Sequence, residues 1–219
     1  MTLDEARLDL QRRQRLGMVE AVWGQHKSAE QIASILRSMR AAGELALVTR
    51  VSPDKAAAVM DALPTVKWHR DAGCLTDGSL PSLSQDVRVG LLSGGTSDRC
   101  VAAEAELSLQ VHGVATKVLL DVGVAGLHRL LAVLPSLQPL DVIIACAGME
   151  GALPTVLAGL VPQPVIGVPV SVGYGVSAGG RAALDGMLAS CAPGLTVVNI
   201  DNGYGAAMAA LRILQGRGV

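Results

Sequence analysis

From Arg88 onward the chain repeats one pattern: a short apolar run, a break at Gly, Asp, Pro or Ser, then a helix-length stretch with helical apolar spacing. The apolar runs read VRVGLLSG, TKVLLDVG, DVIIACAG, QPVIGVPV and LTVVNID. Strands buried on both faces have this composition, and alternation with helices predicts a parallel sheet with right-handed crossovers. The expected fold over residues 81–219 is therefore α/β, a doubly wound parallel sheet of flavodoxin-like type. In such sheets ligands sit outside the carboxyl ends of the strands, where the glycine clusters of this sequence fall.

Residues 1–80 are patterned differently. Residues 1 to about 25 read as a solvated helix with Leu3, Leu10 and Leu16 as a thin apolar stripe. Ser28 and Gln31 fit a capping box, followed by Ile32, Ile35, Leu36 and Met39 at helical spacing until Gly43. LALVTRV predicts a strand, Ser52-Pro53 the first turn of a second helix, and TVKWHRD a second short strand. A small N-terminal α/β module results, joined to the larger domain by a polar linker near TDGSLPSLSQD.

Composition narrows the function classes. With 219 residues, 50% hydrophobic, and a mean hydropathy of +0.43, the chain can bury a sizeable core. Its net charge of -1 and pI near 6.4 give no basic footprint for nucleic acid, and an aromatic content of 2% leaves few rings to stack on bases. No apolar run reaches the roughly 18 residues that span a bilayer. The charged start MTLDEARLDLQRRQRLG lacks the form of a secretory signal, so a cytoplasmic protein without membrane partners is expected. Cys74, Cys100, Cys146 and Cys191 are scattered, with no C-x-x-C pair, which fits thiols and not a zinc knuckle.

The glycine clusters carry the candidate chemistry. In LLSGGTSDR, Gly94 and Gly95 let backbone N–H groups face a phosphate at a helix N-terminus, with Thr96, Ser97 and Asp98 following. The same residues also suit an ordinary N-cap. DVGVAGLHRL brings Asp121, His128 and Arg129; arginine clamps phosphate bidentately, and taken alone the pair suits a solvated Arg and a partly buried His better. In ACAGMEGALP, Gly148, Met149, Glu150 and Gly151 end a strand, and Glu150 suits a general base, a cation holder or a helix-first-turn carboxylate. SVGYGVSAGG places Ser171, Gly173 and Tyr174 among four glycines within eight residues, which suits a ligand approaching backbone or a mobile linker. Cys191 follows a helix-like run and sits at the wrong end of its dipole for a thiolate. It is either a packing residue or a nucleophile whose activation comes from elsewhere.

In this order the segments resemble the PurE carboxylase/mutase family of purine biosynthesis, across residues 88–215. Its Gly-Ser-x-Ser-Asp, Ser-Ala-His-Arg, Ala-Gly-Gly-Ala-Ala-His and Pro-Val-x-Gly-Val-Pro segments find counterparts at 94–98, 126–129, 147–151 and 164–169. Where that family's second loop has His, this chain has Met149-Glu150-Gly151, and it adds the Tyr174 loop and Cys191. Those departures resemble the LarB family, together with WGQHKSAEQI, DVGVAGLHRLL, PVSVGYG and MLASCAPGLTVVNIDNGYGA, the last containing Asn202. That resemblance extends over nearly all of the chain beyond residue 18.

The resemblance implies a carboxylase/hydrolase acting on nicotinic acid adenine dinucleotide, with carbon dioxide or bicarbonate as co-substrate and magnesium as a helper. The product would be pyridinium-3,5-biscarboxylic acid mononucleotide, the first intermediate of nickel-pincer cofactor biosynthesis. It further implies a homo-oligomer, an octamer in PurE-like folds. The family's nucleophile falls on Cys191 and its loop glutamate on Glu150, while Ser97, Asp98 and Arg129 fall in the phosphate and ribose subsite. The competing readings are an aminoimidazole ribonucleotide mutase and a nucleotide-binding sensor without catalysis.

Overall fold

The computed structural model of the chain describes residues 8–216, so the stripe position Leu3 lies outside the described residues. The chain divides into two compact units. One runs to Ser82 and includes Gln110–Gly113; the other holds Leu83–Leu109 and the chain from Val114 on.

The first unit contains α1 (Arg12–Leu16), β1 (Ala21–Trp23), α2 (Ala29–Ala41), β2 (Ala46–Thr49), α3 (Pro53–Ala62), β3 (Lys67–His69) and β4 (Cys74–Asp77). Its sheet has the order β1-β2-β4-β3, with β1 parallel to β2 and β4 antiparallel to both its neighbours. The helix expected up to residue 25 is confined, among the described residues, to the five residues of α1. Gly17 ends it at φ 67, donating its N–H to the Arg13 carbonyl. Beyond it Met18, Val19 and Val22 are 2%, 1% and 6% exposed, and residues 21–23 pair with Leu47–Thr49 as a strand. The apolar residues after Gly17 cluster instead of recurring at helical spacing, so burial in a sheet wins.

The other local signals are realised. Ser28 Oγ accepts from Gln31 N at 3.2 Å while Gln31 Oε1 accepts from Ser28 N at 3.0 Å, closing the capping box. Ser52 Oγ accepts from Lys55 N at 3.4 Å, with Pro53 opening α3. Ile32, Leu36 and Met39 of α2 and Val59 of α3 pack with Val48 and Leu75 into the core of this unit. Strand β4 takes part of what read as linker, because its Thr76 and Asp77 are buried polar residues, 1% and 5% exposed.

The second unit follows the predicted alternation: β5 (Val89–Ser93), α4 (Arg99–Gln110), β6 (Thr116–Leu119), α5 (Leu127–Val133), β7 (Val142–Ala147), α6 (Ala152–Ala158), β8 (Val165–Pro169), α7 (Arg181–Leu188), β9 (Leu195–Val197) and α8 (Gly203–Gly216). All five strands are parallel in the order β6-β5-β7-β8-β9, the flavodoxin-like arrangement. Every residue of β5, β7 and β8 is buried, as strands covered on both faces require. Leu92, Ile143, Ala145, Val165, Leu130, Leu153, Leu157 and Met187 join them to the helices in one core. Among the described residues no helix is long and apolar enough to cross a membrane.

Candidate functional site

Five loops leave the carboxyl ends of β5 to β9, and hydrogen bonds tie each to the next. Ser93 Oγ, at the end of β5, accepts from Asp121 N after β6 at 3.2 Å. Asp98 accepts from Gly95 N at 2.8 Å and, through its other oxygen, from Gly148 N after β7 at 3.1 Å. Met149 N donates to Val172 O after β8 at 3.0 Å. Asp201 Oδ1, after β9, accepts from Ser171 N at 2.8 Å.

This rim is also where the backbone is strained. Among the described residues four non-glycine residues have positive φ, and three of them, Asp121 at 58°, Met149 at 52° and Asp201 at 55°, lie in these loops. Such conformations cost free energy and persist where the surroundings enforce them, often at functional sites. The glycines are there for space. A Cβ on Gly148 would stand 2.3 Å from Val172 O, and one on Gly123 2.4 Å from Gly94 O, so neither loop closes with a larger residue.

The structure sorts the sequence candidates. Thr96 and Ser97 are exposed in the short 3-10 turn that leads into α4. Gly94 and Gly95 precede them, but their N–H groups do not face a ligand as expected: Gly94 N donates to Cys146 O at 2.9 Å and Gly95 N to Asp98. Asp98 is 5% exposed, with both oxygens held by loop N–H groups. Burial pushes its pKa up, against the N–H groups of Gly95, Gly148 and Gly94, which pull it down. Its geometry is that of a brace between two loops. Arg129 Nη1 pairs with Asp121 Oδ1 at 2.9 Å, both side chains partly exposed. His128 is exposed beside it.

Glu150 is exposed after β7. Gly151 takes φ 67 as the N-cap of α6, so Glu150 precedes the helix and is not a first-turn residue of it. Ser171 and Gly173 are half-buried, while Tyr174 is 78% exposed. Asn202 Oδ1 accepts from Gly205 N at 2.8 Å, so it caps α8. Sequence reasoning missed Asp201, whose bond to Ser171 couples the last two loops. The only signal was an Asp before Asn-Gly, a turn-forming sequence.

Cys191 stands apart from this rim. It is exposed, but lies between α7 and β9, before Leu195, whose partner Val165 is the first residue of β8. Gly194 O accepts from Val165 N at 3.4 Å, which fixes that segment at the amino edge of the sheet. Glu150 follows Ala147, which pairs with Pro169, the last residue of β8. Cys146, on β7, is wholly buried, and burial together with the nearby Asp98, Glu104 and Asp201 carboxylates pushes its thiol pKa up. It is no candidate for a thiolate.

An all-parallel sheet in this order, with glycine loops braced along its carboxyl edge, defines a flavodoxin-like α/β fold of the PurE-like class. Comparison with known proteins carries this further. Residues 88–217 match the AIR carboxylase family and residues 1–78 match the LarB/PurE-like N-terminal domain. The chain is 37% identical over 220 residues to an uncharacterised protein of Methanocaldococcus jannaschii, covering 94% of this chain and 83% of that one. It is 37% identical over 131 residues to the N5-carboxyaminoimidazole ribonucleotide mutase of the same organism, covering 57% of this chain and 76% of that one. The mutase of Pyrococcus horikoshii is 34% identical over 144 residues, covering 60% of this chain and 74% of that one. The chain belongs to the AIR carboxylase family of carboxylases and mutases, with the two-domain architecture of LarB.

Proposed function

We propose that the protein carboxylates the pyridinium ring of nicotinic acid adenine dinucleotide and hydrolyses its phosphoanhydride, releasing AMP and pyridinium-3,5-biscarboxylic acid mononucleotide. The observation that carries this proposal is an exposed Cys191 in a chain whose loop after β7 reads Met149-Glu150-Gly151 and whose residues 1–78 match the LarB/PurE-like N-terminal domain.

A pyridinium ring is too electron-poor to attack carbon dioxide. Addition of the Cys191 thiolate to the carbon opposite nitrogen turns it into a neutral enamine. The adjacent carbon, on the side away from the existing carboxylate, then forms a carbon–carbon bond to carbon dioxide, leaving an iminium. Loss of that carbon's proton restores the enamine, and departure of the thiolate restores the aromatic cation. The sum is replacement of one ring hydrogen by carboxylate, with one proton released. A soft nucleophile that also leaves well is needed, which cysteine supplies and serine does not. Hydrolysis follows by water adding at phosphorus of the anhydride.

In this scheme Glu150 takes the ring proton. The exposed Thr96 and Ser97 hydroxyls hold phosphate, with Arg129 beside them. Among the described residues no three His, Cys, Asp or Glu side chains gather to hold a metal. Magnesium in this scheme is held mainly by the substrate phosphates. When bound, it would supply charge neutralisation at the anhydride.

The proposal includes self-association, because Cys191 and Glu150 flank opposite edges of one sheet. A second copy must bring its cysteine to the rim. Exposed apolar side chains on both sides, Tyr174 and Val176 after β8 and Leu188 near Cys191, at 78%, 95% and 64%, give such contacts material.

The test is chromatography of products after incubation with nicotinic acid adenine dinucleotide, bicarbonate and magnesium. AMP and a dicarboxylated mononucleotide are expected, with Cys191→Ala inactive in carboxylation and a trapped adduct mapping to Cys191 by mass spectrometry. Undiminished carboxylation in Cys191→Ala would end the covalent scheme. Turnover of carboxyaminoimidazole ribonucleotide instead would make the protein a mutase like its named relatives, and binding of the dinucleotide without turnover would make it a sensor.

A further inference from the structure

The first unit holds a cleft of its own, about 620 Å³ in volume. Three cationic side chains line it from three elements, Arg13 of α1, Arg40 of α2 and Lys67 of β3. Thr65 and Ser79 add hydroxyls, Glu44 adds a carboxylate, and Leu45 is the one apolar side chain among the lining residues.

Arg40 is held in place there. Its Nε and Nη2 donate to the same Asp77 oxygen at 2.9 and 2.7 Å, and Nη2 also donates to Thr65 Oγ1. The Thr65 hydroxyl donates to the other Asp77 oxygen at 3.2 Å. Asp77, 5% exposed, thus neutralises Arg40 and fixes its plane, while Nη1 makes no bond among the described residues. Neither Arg13 nor Lys67 has a carboxylate partner among the described residues. With Arg40 and Asp77 balanced, two cations face a single carboxylate, Glu44.

We propose that this cleft binds a sugar phosphate, free or as the ribose phosphate of a nucleotide, at a site separate from the five-loop rim. A fixed guanidinium with two unpaired cations is chemistry for a phosphate dianion. The Ser79 hydroxyl and the Glu44 carboxylate pair with sugar hydroxyls, and without an aromatic ring the lining gives a base nothing to stack on. The volume lies within the usual range of small-ligand sites, about 300–1,000 Å³, and is far larger than bare phosphate requires.

The chain's two tryptophans, Trp23 and Trp68, both lie in this unit, and Trp68 directly follows Lys67 on β3. Full-length protein carrying Trp23→Phe therefore reports through Trp68 alone. Titration with ribose 5-phosphate should give a saturable emission change with a dissociation constant between about 10 μM and 1 mM. The Arg13→Gln/Lys67→Gln double variant should weaken it by at least about tenfold, with an unchanged unfolding midpoint. Arg40 is left intact, since its loss would strand Asp77. No saturable change, equal affinity in the double variant, or equal binding of unphosphorylated ribose would overturn the proposal. Inorganic phosphate binding as tightly as ribose 5-phosphate would overturn the sugar-phosphate assignment.

Discussion

Two inactive variants, Cys191→Ala and Glu150→Gln, should restore each other's activity when mixed in one oligomer. The expectation rests on sheet geometry. Cys191 lies before Leu195, level with Val165, and Glu150 lies beyond Ala147, level with Pro169. Four strand rises separate Val165 from Pro169, about 13 Å. The site proposed above draws its cysteine and its glutamate from different copies to span that length. If chains mix at random, a site is intact when its cysteine donor and its glutamate donor are both unmutated at the relevant position, about one quarter of sites.

The assay co-expresses the variants with different affinity tags, isolates mixed oligomers by tandem purification, and measures dicarboxylated mononucleotide formed per site. A companion mixture, wild type with the Cys191→Ala/Glu150→Gln double variant, separates the alternatives again. It should retain about one quarter of wild-type activity if the residues come from different copies, and about one half if they share a chain. Mixed oligomers of the single variants with no more activity than their parents, alongside one-half retention in the companion mixture, would refute the two-copy site.

Four further outcomes are expected. Arg40→Ala should cost about 2–3 kcal/mol by urea unfolding, because it leaves Asp77 charged at 5% exposure; a loss below about 0.5 kcal/mol would contradict the anchoring role. Gly148→Ala should lower carboxylation by about 100-fold or more, since its Cβ meets Val172 O at 2.3 Å and must displace a rim loop. Native protein treated with iodoacetamide should be labelled at Cys100 and Cys191 before Cys74 and Cys146, which are buried, as read by peptide mass mapping. Asp98 has a folded-state pKa raised above 3.8, chiefly by burial. The folded state therefore holds the proton more tightly, and stability from this group falls as pH climbs from 3.8 through the raised value. Asp98→Asn should remove that slope from a thermal-midpoint profile, while losing one of the two loop bonds; parallel profiles would refute it.

The five-stranded sheet was legible because each of the five apolar runs contains its strand, and in β5, β7 and β8 burial on both faces writes that run. The small sheet was less so. Strand β4 hides its polar Thr76 and Asp77 by pairing Asp77 with Arg40, 37 positions away, and no local pattern encodes such a partner. Likewise β1 is three residues long and follows a helix that stops at Gly17, too short a signal to separate from helix by periodicity. At the rim, the glycines and caps were visible, but their tasks were not. Asp98 has the composition of an N-cap and does cap Gly95, yet its second oxygen reaches Gly148, 50 positions on.

The position of Cys191, by contrast, was implicit in the alternation itself. In a parallel sheet each helix returns the chain to the amino edge before the next strand, and Cys191 falls between a helix and a strand, where every glycine cluster of the rim falls between a strand and a helix. One topological rule thus sets the glycine loops and the cysteine toward opposite ends of the sheet. If the cysteine is the nucleophile, the proposed second copy supplies it across that length, and the one-quarter activity of mixed oligomers is the quantitative form of the proposal.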